Sequence, residues 1–184
     1  GVVEKIIGSD NTPNIDITAL IATANIKTEF SQEVKEQVKT IPTYVDKTKY
    51  LERRDLTNEV IITIDGDDAK DLDDAICVEK ISDEEYKLSV HIADVSHYVL
   101  EGSEIDKEAF NRATSVYFPE RVIPMLPEKL CNDVCSLKEG VDRLTLSCVM
   151  TIDFKGKVTD YEITPSIIRS SARMTYANVQ KIID

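Results

Sequence analysis

The stretch VIITIDGDDAKDLDDAICV, residues 60–78, decides how this chain is read. Its centre, DGDDAKDLDD at 65–74, has aspartate at six of ten positions, and it is flanked by the apolar runs 60–64 and 75–78, which read as β-strands. Carboxylates held between buried strands repel one another and resist ionisation unless a cation neutralises them. Four of them, Asp65, Asp71, Asp73 and Asp74, therefore read as a site, and Asp67 and Asp68 as solvated loop. All-oxygen ligands select hard divalent cations. A sparse carboxylate set that leaves room for water and phosphate suits Mg²⁺, with Mn²⁺ as a substitute. On a strand Asp71 and Asp73 would face one way and Asp74 the other, whereas in a helical turn Asp71 and Asp74 would share a face. The expectation is a loop that gathers them, with Asp65 delivered from the end of the preceding strand. A calcium loop of EF-hand type fails on register, because placing Gly66 at its sixth position puts Ile61 at the first. A solvated acidic loop is the competing reading of the spacing alone.

The 184 residues, 42% hydrophobic, suffice for one domain with a core. No apolar run has transmembrane length and the start has no secretory pattern, so the expectation is a cytoplasmic protein without a membrane partner. Cys77, Cys131, Cys135 and Cys148 lack metal-binding spacing and read as buried reduced thiols. The formal net charge of -12 argues against a free-standing nucleic-acid binder and is compatible with a cation site, or with a piece whose basic surface lies elsewhere.

Outward from the aspartates, residues 1–8 read as a strand running into a turn, and 11–26 as a helix capped by Asp16 with Ile17, Leu20, Ile21 and Ala24 on one face. Phe30, Val34, Val38 and Ile41 mark a second helix, capped by Ser31 and ended by Pro42. Residues 47–55 form a basic patch that reads as a solvated connector. Downstream, 75–80 and 86–95 pair as a hairpin through 82–85, with His91 in mid-strand as a structural residue. A capping box of Ser103 and Asp106 opens a helix with Ile105, Ala109, Phe110 and Ala113 buried. Residues 116–127 read as a proline-punctuated loop, 144–154 and 157–164 as a second hairpin, and 170–183 as a final helix. The expected fold class is α+β, with a mixed, mainly antiparallel sheet and flanking helices.

The run TIDGDDAKDLDDA at 63–75, followed in order by VHIADVSHYV at 90–99, EGSEIDKEAFNRATSVYFPERVIPMLP at 101–127, LCNDVCSLKEG at 130–140 and RSSARMTYANVQKII at 169–183, resembles the catalytic domain of the ribonuclease II family, within it most closely the bacterial ribonuclease R branch. The resemblance implies a Mg²⁺-dependent, processive 3′ to 5′ exoribonuclease that hydrolyses single-stranded RNA to nucleoside 5′-monophosphates. It places the family's metal-binding catalytic aspartates on Asp65, Asp71, Asp73 and Asp74. Asp65 and Asp74 are expected in direct metal contact, with Asp71 and Asp73 serving a second ion or its water. Tyr117 matches the family tyrosine that stacks on a base near the RNA 3′ end, and Tyr176 another that lines the RNA path. Arg112 and Arg121 read equally as phosphate contacts or surface ion pairs.

The same resemblance implies that residues 1–46 are the end of a preceding cold-shock OB-fold plus a helical linker, and 47–184 the N-terminal part of the catalytic domain. The family's remaining catalytic half, with its arginines, and its cold-shock and S1 domains are not among these residues, so the piece by itself is expected to be inactive. The alternative is a non-catalytic RNA-binding or regulatory relative with the same fold. Such relatives usually lose motif aspartates, and all four are here.

Overall fold

The computed structural model describes residues 2–3, 6–9 and 13–184. In chain order the elements are α1 (Ile15–Thr23), α2 (Gln32–Thr40), a 3₁₀ turn at Lys47–Lys49, β1 (Arg54–Asp55), β2 (Ile61–Asp65), β3 (Asp74–Lys80), β4 (Glu85–Ala93), α3 (Val95–Tyr98), α4 (Glu104–Arg112), β5 (Val116–Phe118), β6 (Arg121–Ile123), a π turn at Leu130–Val134, β7 (Asp142–Asp153), β8 (Val158–Thr175) and α5 (Tyr176–Ile183). The class is the expected α+β, with a mainly antiparallel sheet. None of the described helices is long and apolar enough to cross a membrane.

The long strand β8 organises the sheet. Its first part pairs antiparallel with β7, from Val158 opposite Ile152 to Arg169 opposite Asp142. Its last part pairs parallel with β2, from Ser170 opposite Ile61 to Thr175 opposite Asp65. Since β2–β3, β3–β4 and β4–β7 are antiparallel neighbours, the ladder closes on itself as a ring of five strands, with β1 added along β8. Closure removes the open edges on which strands aggregate.

The buried side of these strands carries small polar residues. His91 is fully buried, and its Nδ1 lies 2.6 Å from Ser147 Oγ; Ser147 also hydrogen-bonds Ser166, which lies 2.6 Å from Thr145 Oγ1. The structural role expected for His91 is thereby seen. Val34, Leu56, Ile61, Leu72, Ile105 and Ile168 are members of the apolar core. Strand alternation puts Val78, Ile92, Leu146, Tyr161 and Ile163 on exposed positions, with Ile92 directly opposite Leu146.

Several expectations are corrected. The first helix is shorter than expected: Asn14, with φ 57°, stands at its cap without a side-chain cap bond, and Asn25, with φ 53°, follows its end. Left-handed backbone at both residues stops the helical ladder. The start at residue 11, and Gly1, Glu4 and Lys5 of the strand expected at 1–8, lie outside the described residues; the described neighbours 2–3 and 6–9 have no regular structure. Ser31 and Ser103 do cap α2 and α4, accepting hydrogen bonds from Val34 N and Asp106 N. On α4, however, Ile105 is buried while Phe110 is 84% exposed and Ala113 lies past the helix end. The helix is three turns at most and seats only its first turn on the core.

The proline-rich segment contains a hairpin, β5–β6, because the β-formers Val116, Tyr117 and Phe118 face Ile123, Val122 and Arg121 across a Pro119–Glu120 turn. The expected terminal helix begins only at Tyr176. Residues 170–175 are drawn into β8 by pairing with β2, and Thr175 caps α5 by accepting from Asn178 N. The basic segment is exposed over much of its length, as a solvated connector would be, but it is also tied to the fold: Arg53, 8% exposed at its side chain, is ion-paired with Asp94 at 2.5 Å, and Arg54–Asp55 pair with β8.

Candidate active site

Asp65 is the last residue of β2 and Asp74 the first of β3, so the turn between two antiparallel strands carries the acidic run. Leu72 anchors that turn. Its side chain is buried in the core, its N–H donates to Ser136 Oγ at 3.1 Å, and its carbonyl accepts from Leu137 N at 2.8 Å. Ser136 Oγ in turn donates to the Lys70 carbonyl at 2.9 Å, and Ala93 N donates to the Asp73 carbonyl at 2.9 Å. An apolar anchor flanked by Asp71 and Asp73 holds both carboxylates at the surface of the core. Asp65 comes from the preceding strand end as expected, and Asp71 and Asp73 from the turn, but Asp74 belongs to β3 rather than to the loop.

The carboxylates share an electrostatic field. Burial, then repulsion from Asp74, pushes the Asp65 carboxyl above the usual carboxylate range; Arg173 opposes this and Asp71 adds to it. Asp73 is raised likewise by desolvation, then by Asp71, Asp74 and Asp65. Asp65 Oδ2 is buried with no hydrogen-bond partner. A buried, unpartnered carboxylate oxygen among like charges is a costly arrangement that a cation would relieve. Among the described residues, no group of three or more His, Cys, Asp or Glu side chains is placed to hold a metal ion. The donor chemistry of the four carboxylates suits a hard cation.

Asp71, Asp73 and Tyr117 line one cavity of about 440 Å³, together with Ile92, Met125 and Cys135. An adjoining groove shares Asp71 and Tyr117 and adds Lys70 and Arg121. Tyr117, 69% exposed on β5, thus presents an open aromatic face beside the aspartates. Tyr176, 66% exposed, follows Thr175, the strand partner of Asp65. Arg112 stands apart from this site, with its side chain 6% exposed, its Nε 3.0 Å from Glu108 and its Nη2 2.7 Å from the Glu29 carbonyl. It is a buried structural cation rather than a phosphate contact or a surface ion pair.

The four cysteines are free, Cys77 and Cys135 buried and Cys131 and Cys148 partly so. Burial, with Asp73 next, pushes the Cys135 thiol up to about 12, and burial with Asp71 raises Cys131, so both thiols beside the cavity stay protonated and unreactive. Sequence reasoning overlooked Ser136 and Arg173, which hold the aspartate turn. A serine inside VCSLKEG carries no periodic signal, and Arg173 lay in a stretch read as helix.

Comparison with known proteins places these features. The RNB domain pattern matches residues 53–184. Ribonuclease R 2 of Lactococcus lactis is 50% identical over 183 residues, covering 100% of this chain and 28% of that protein. The solved structure of Mycoplasma genitalium RNase R in complex with ribose methylated single-stranded RNA superimposes with a TM-score of 0.90 at 34% identity, over 98% of this chain and 28% of that one. Yeast Ssd1, described as a pseudonuclease, shares the fold with a TM-score of 0.81 at 21% identity, over 96% of this chain and 23% of that one. The chain thus spans about a quarter of the length of these proteins. With an RNB match over most of its length and relatives of this similarity, the chain belongs to the RNB domain family and is homologous to the ribonuclease R exoribonucleases.

Proposed function

We propose that this chain forms the metal-binding half of the active site of a Mg²⁺-dependent, processive 3′ to 5′ exoribonuclease that acts in the cytoplasm and releases nucleoside 5′-monophosphates. The observation that carries the reading is the buried, unpartnered Oδ2 of Asp65, whose carboxyl is raised by burial and by the charges of Asp74 and Asp71. Asp65 and Asp74, on adjacent strand ends, hold one ion directly. Asp71 and Asp73, either side of the Leu72 anchor, orient a second ion or its water. Mn²⁺ substitutes for Mg²⁺, since both accept all-oxygen ligation. The bound ions supply a lowered pKa for the attacking water and charge neutralisation at the phosphate.

Single-stranded RNA is the partner, as in the Mycoplasma genitalium complex. Its terminal base stacks on Tyr117, an interaction indifferent to base identity, and Tyr176 lines the path near Asp65. Residues 1–46 are the end of a cold-shock OB-fold and a helical linker, the latter docked through Val34 and Ile41. The remaining catalytic half, with the cold-shock and S1 parts, belongs to the same polypeptide, and the 184 residues alone turn over little RNA. The competing reading is a non-catalytic relative, because the fold is shared with a pseudonuclease; the four aspartates favour the enzyme.

The test is a time course of the full-length protein on 5′-labelled and 3′-labelled RNA with and without Mg²⁺, beside Asp73→Asn and Asp74→Asn. Mononucleotide release from the 3′ end that needs Mg²⁺ and is lost in both variants, with RNA binding kept, is expected. Normal turnover in either variant sinks the assignment.

A further inference from the structure

Three backbone carbonyl oxygens of the aspartate turn converge on one nitrogen. Nη2 of Arg173 lies 3.3 Å from the carbonyl oxygen of Gly66, 2.9 Å from that of Asp67 and 2.9 Å from that of Ala69. Ala69 N donates to the Gly66 carbonyl at 3.2 Å, so the turn curls around the guanidinium. Arg173 sits on β8 opposite Thr63, two residues before Thr175 meets Asp65, so the strand pair that delivers Asp65 also aims this cation. The Arg173 N–H donates to Glu139 at 3.2 Å, which ties the same residue to the segment following Ser136. The two halves of the turn are therefore held differently. Residues 70–73 are pinned by Leu72 and Ser136, and residues 66–69 by Arg173.

Resting on the metal-dependent reading above, we propose that Arg173 is a positioning residue whose guanidinium holds the first half of the turn, so that Asp65 before it and Asp71 after it keep the spacing at which each presents its oxygens to its own ion. Nη2 carries two N–H donors for these three carbonyls, so at least one is shared, and the guanidinium holds its charge at any working pH. Removing it leaves every carboxylate in the chain and the Leu72 anchor in the core. What is lost is the alignment of the ligands, together with a positive charge near Asp65 whose removal alone would favour a cation, so weaker binding in the variant reports the alignment. Groups that orient metal ligands without touching the ion cost about 10- to 100-fold in affinity when deleted. Arg173 touches neither ion nor RNA in this role, so its loss leaves the RNA KM at saturating Mg²⁺ within about twofold.

The experiment uses the full-length protein as wild type, Arg173→Ala, Arg173→Lys and Asp74→Asn. Mn²⁺ binding is read by the electron paramagnetic resonance signal of the free ion, independently of turnover, and RNA hydrolysis is measured against Mg²⁺. Expected are a Mn²⁺ affinity weakened at least about tenfold in Arg173→Ala, a matching rise in the Mg²⁺ needed for half-maximal rate, partial recovery in Arg173→Lys, and partial rescue of the alanine variant by added methylguanidinium. Superimposable metal titrations for wild type and Arg173→Ala overturn the proposal, as does a defect confined to the RNA KM. Should Arg173→Ala not fold, Arg173→Lys decides by the same titrations, an intermediate weakening supporting the proposal and coincidence with wild type overturning it. If wild type and Asp74→Asn bind Mn²⁺ alike, the metal-site reading itself fails, an outcome distinct from a failure of Arg173 alone.

Discussion

Acidification should unfold this chain partly through one imidazole. His91 is fully buried, its Nδ1 is 2.6 Å from Ser147 Oγ, and its Nε2 has no partner to receive a second proton's charge. Burial depresses its pKa from 6.5 to about 4, with Glu59 opposing. The unfolded chain therefore takes up a proton near pH 6.5 that the folded chain resists until about pH 4. The stabilising contribution is complete above pH 6.5 and is lost as the pH falls from 6.5 to about 4. At about 1.4 kcal/mol per pH unit the loss totals about 3 kcal/mol, most of it spent by pH 4.5. That is a large share of the 5–15 kcal/mol typical of a domain. Asp65 and Asp73 work in the opposite direction: their raised carboxyls favour folding below the unfolded pKa and cost stability as pH rises through the folded one. The difference between wild type and His91→Gln cancels these contributions, since glutamine keeps a polar contact with Ser147 but does not titrate. Urea unfolding at pH 7.0, 6.0, 5.0 and 4.5 measures it. The wild type should lose about 2 to 3 kcal/mol more than the variant across this range. Parallel curves for the two proteins would refute the argument that burial keeps His91 neutral.

Further outcomes follow from other contacts. Arg53→Ala strands the Asp94 carboxylate, 13% exposed, and should cost about 3–5 kcal/mol in denaturant unfolding; a cost below about 1 kcal/mol would show the pair to be solvated. Asp73→Asn removes one repelling charge, so the metal-free chain should melt higher than wild type at pH 7 yet gain less on adding Mg²⁺. An equal Mg²⁺-induced rise in both contradicts that. Tyr117→Ala, at an exposed position, should leave the melting midpoint unchanged while weakening the full-length protein's grip on single-stranded RNA by about 1–3 kcal/mol in a fluorescence titration. Unaltered affinity removes Tyr117 from the RNA path. The exposed stripe of Ile92, Leu146, Tyr161 and Ile163 should make the 184-residue chain bind a hydrophobic dye such as ANS, and Ile163→Lys should reduce that signal.

Chemistry was more legible than conformation. Asp65, Asp71, Asp73 and Asp74 stood out because acidic residues between strand-like runs are energetically conspicuous in any fold. The caps at Ser31 and Ser103 were equally plain, since a cap depends on residues three apart. Residues 170–175 misled because SSARMT has no strong alternation, and its strand conformation is imposed by Ile61–Asp65 more than a hundred positions away. Arg53 and Arg112 looked like surface cations because a local reading cannot see Asp94, Glu108 or the carbonyls that enclose them.

The sequence by itself determined which side chains could hold a hard cation and which family's pattern they follow, because ligand chemistry and local spacing are properties of neighbouring residues. Only the tertiary structure decided how β8 closes the ring, why Leu72 and Ser136 fix the acidic turn, and that Tyr117 and Arg173 stand beside it. Those relations join segments 40 to 110 positions apart, and long-range pairing, packing and burial set them, which no window of sequence contains.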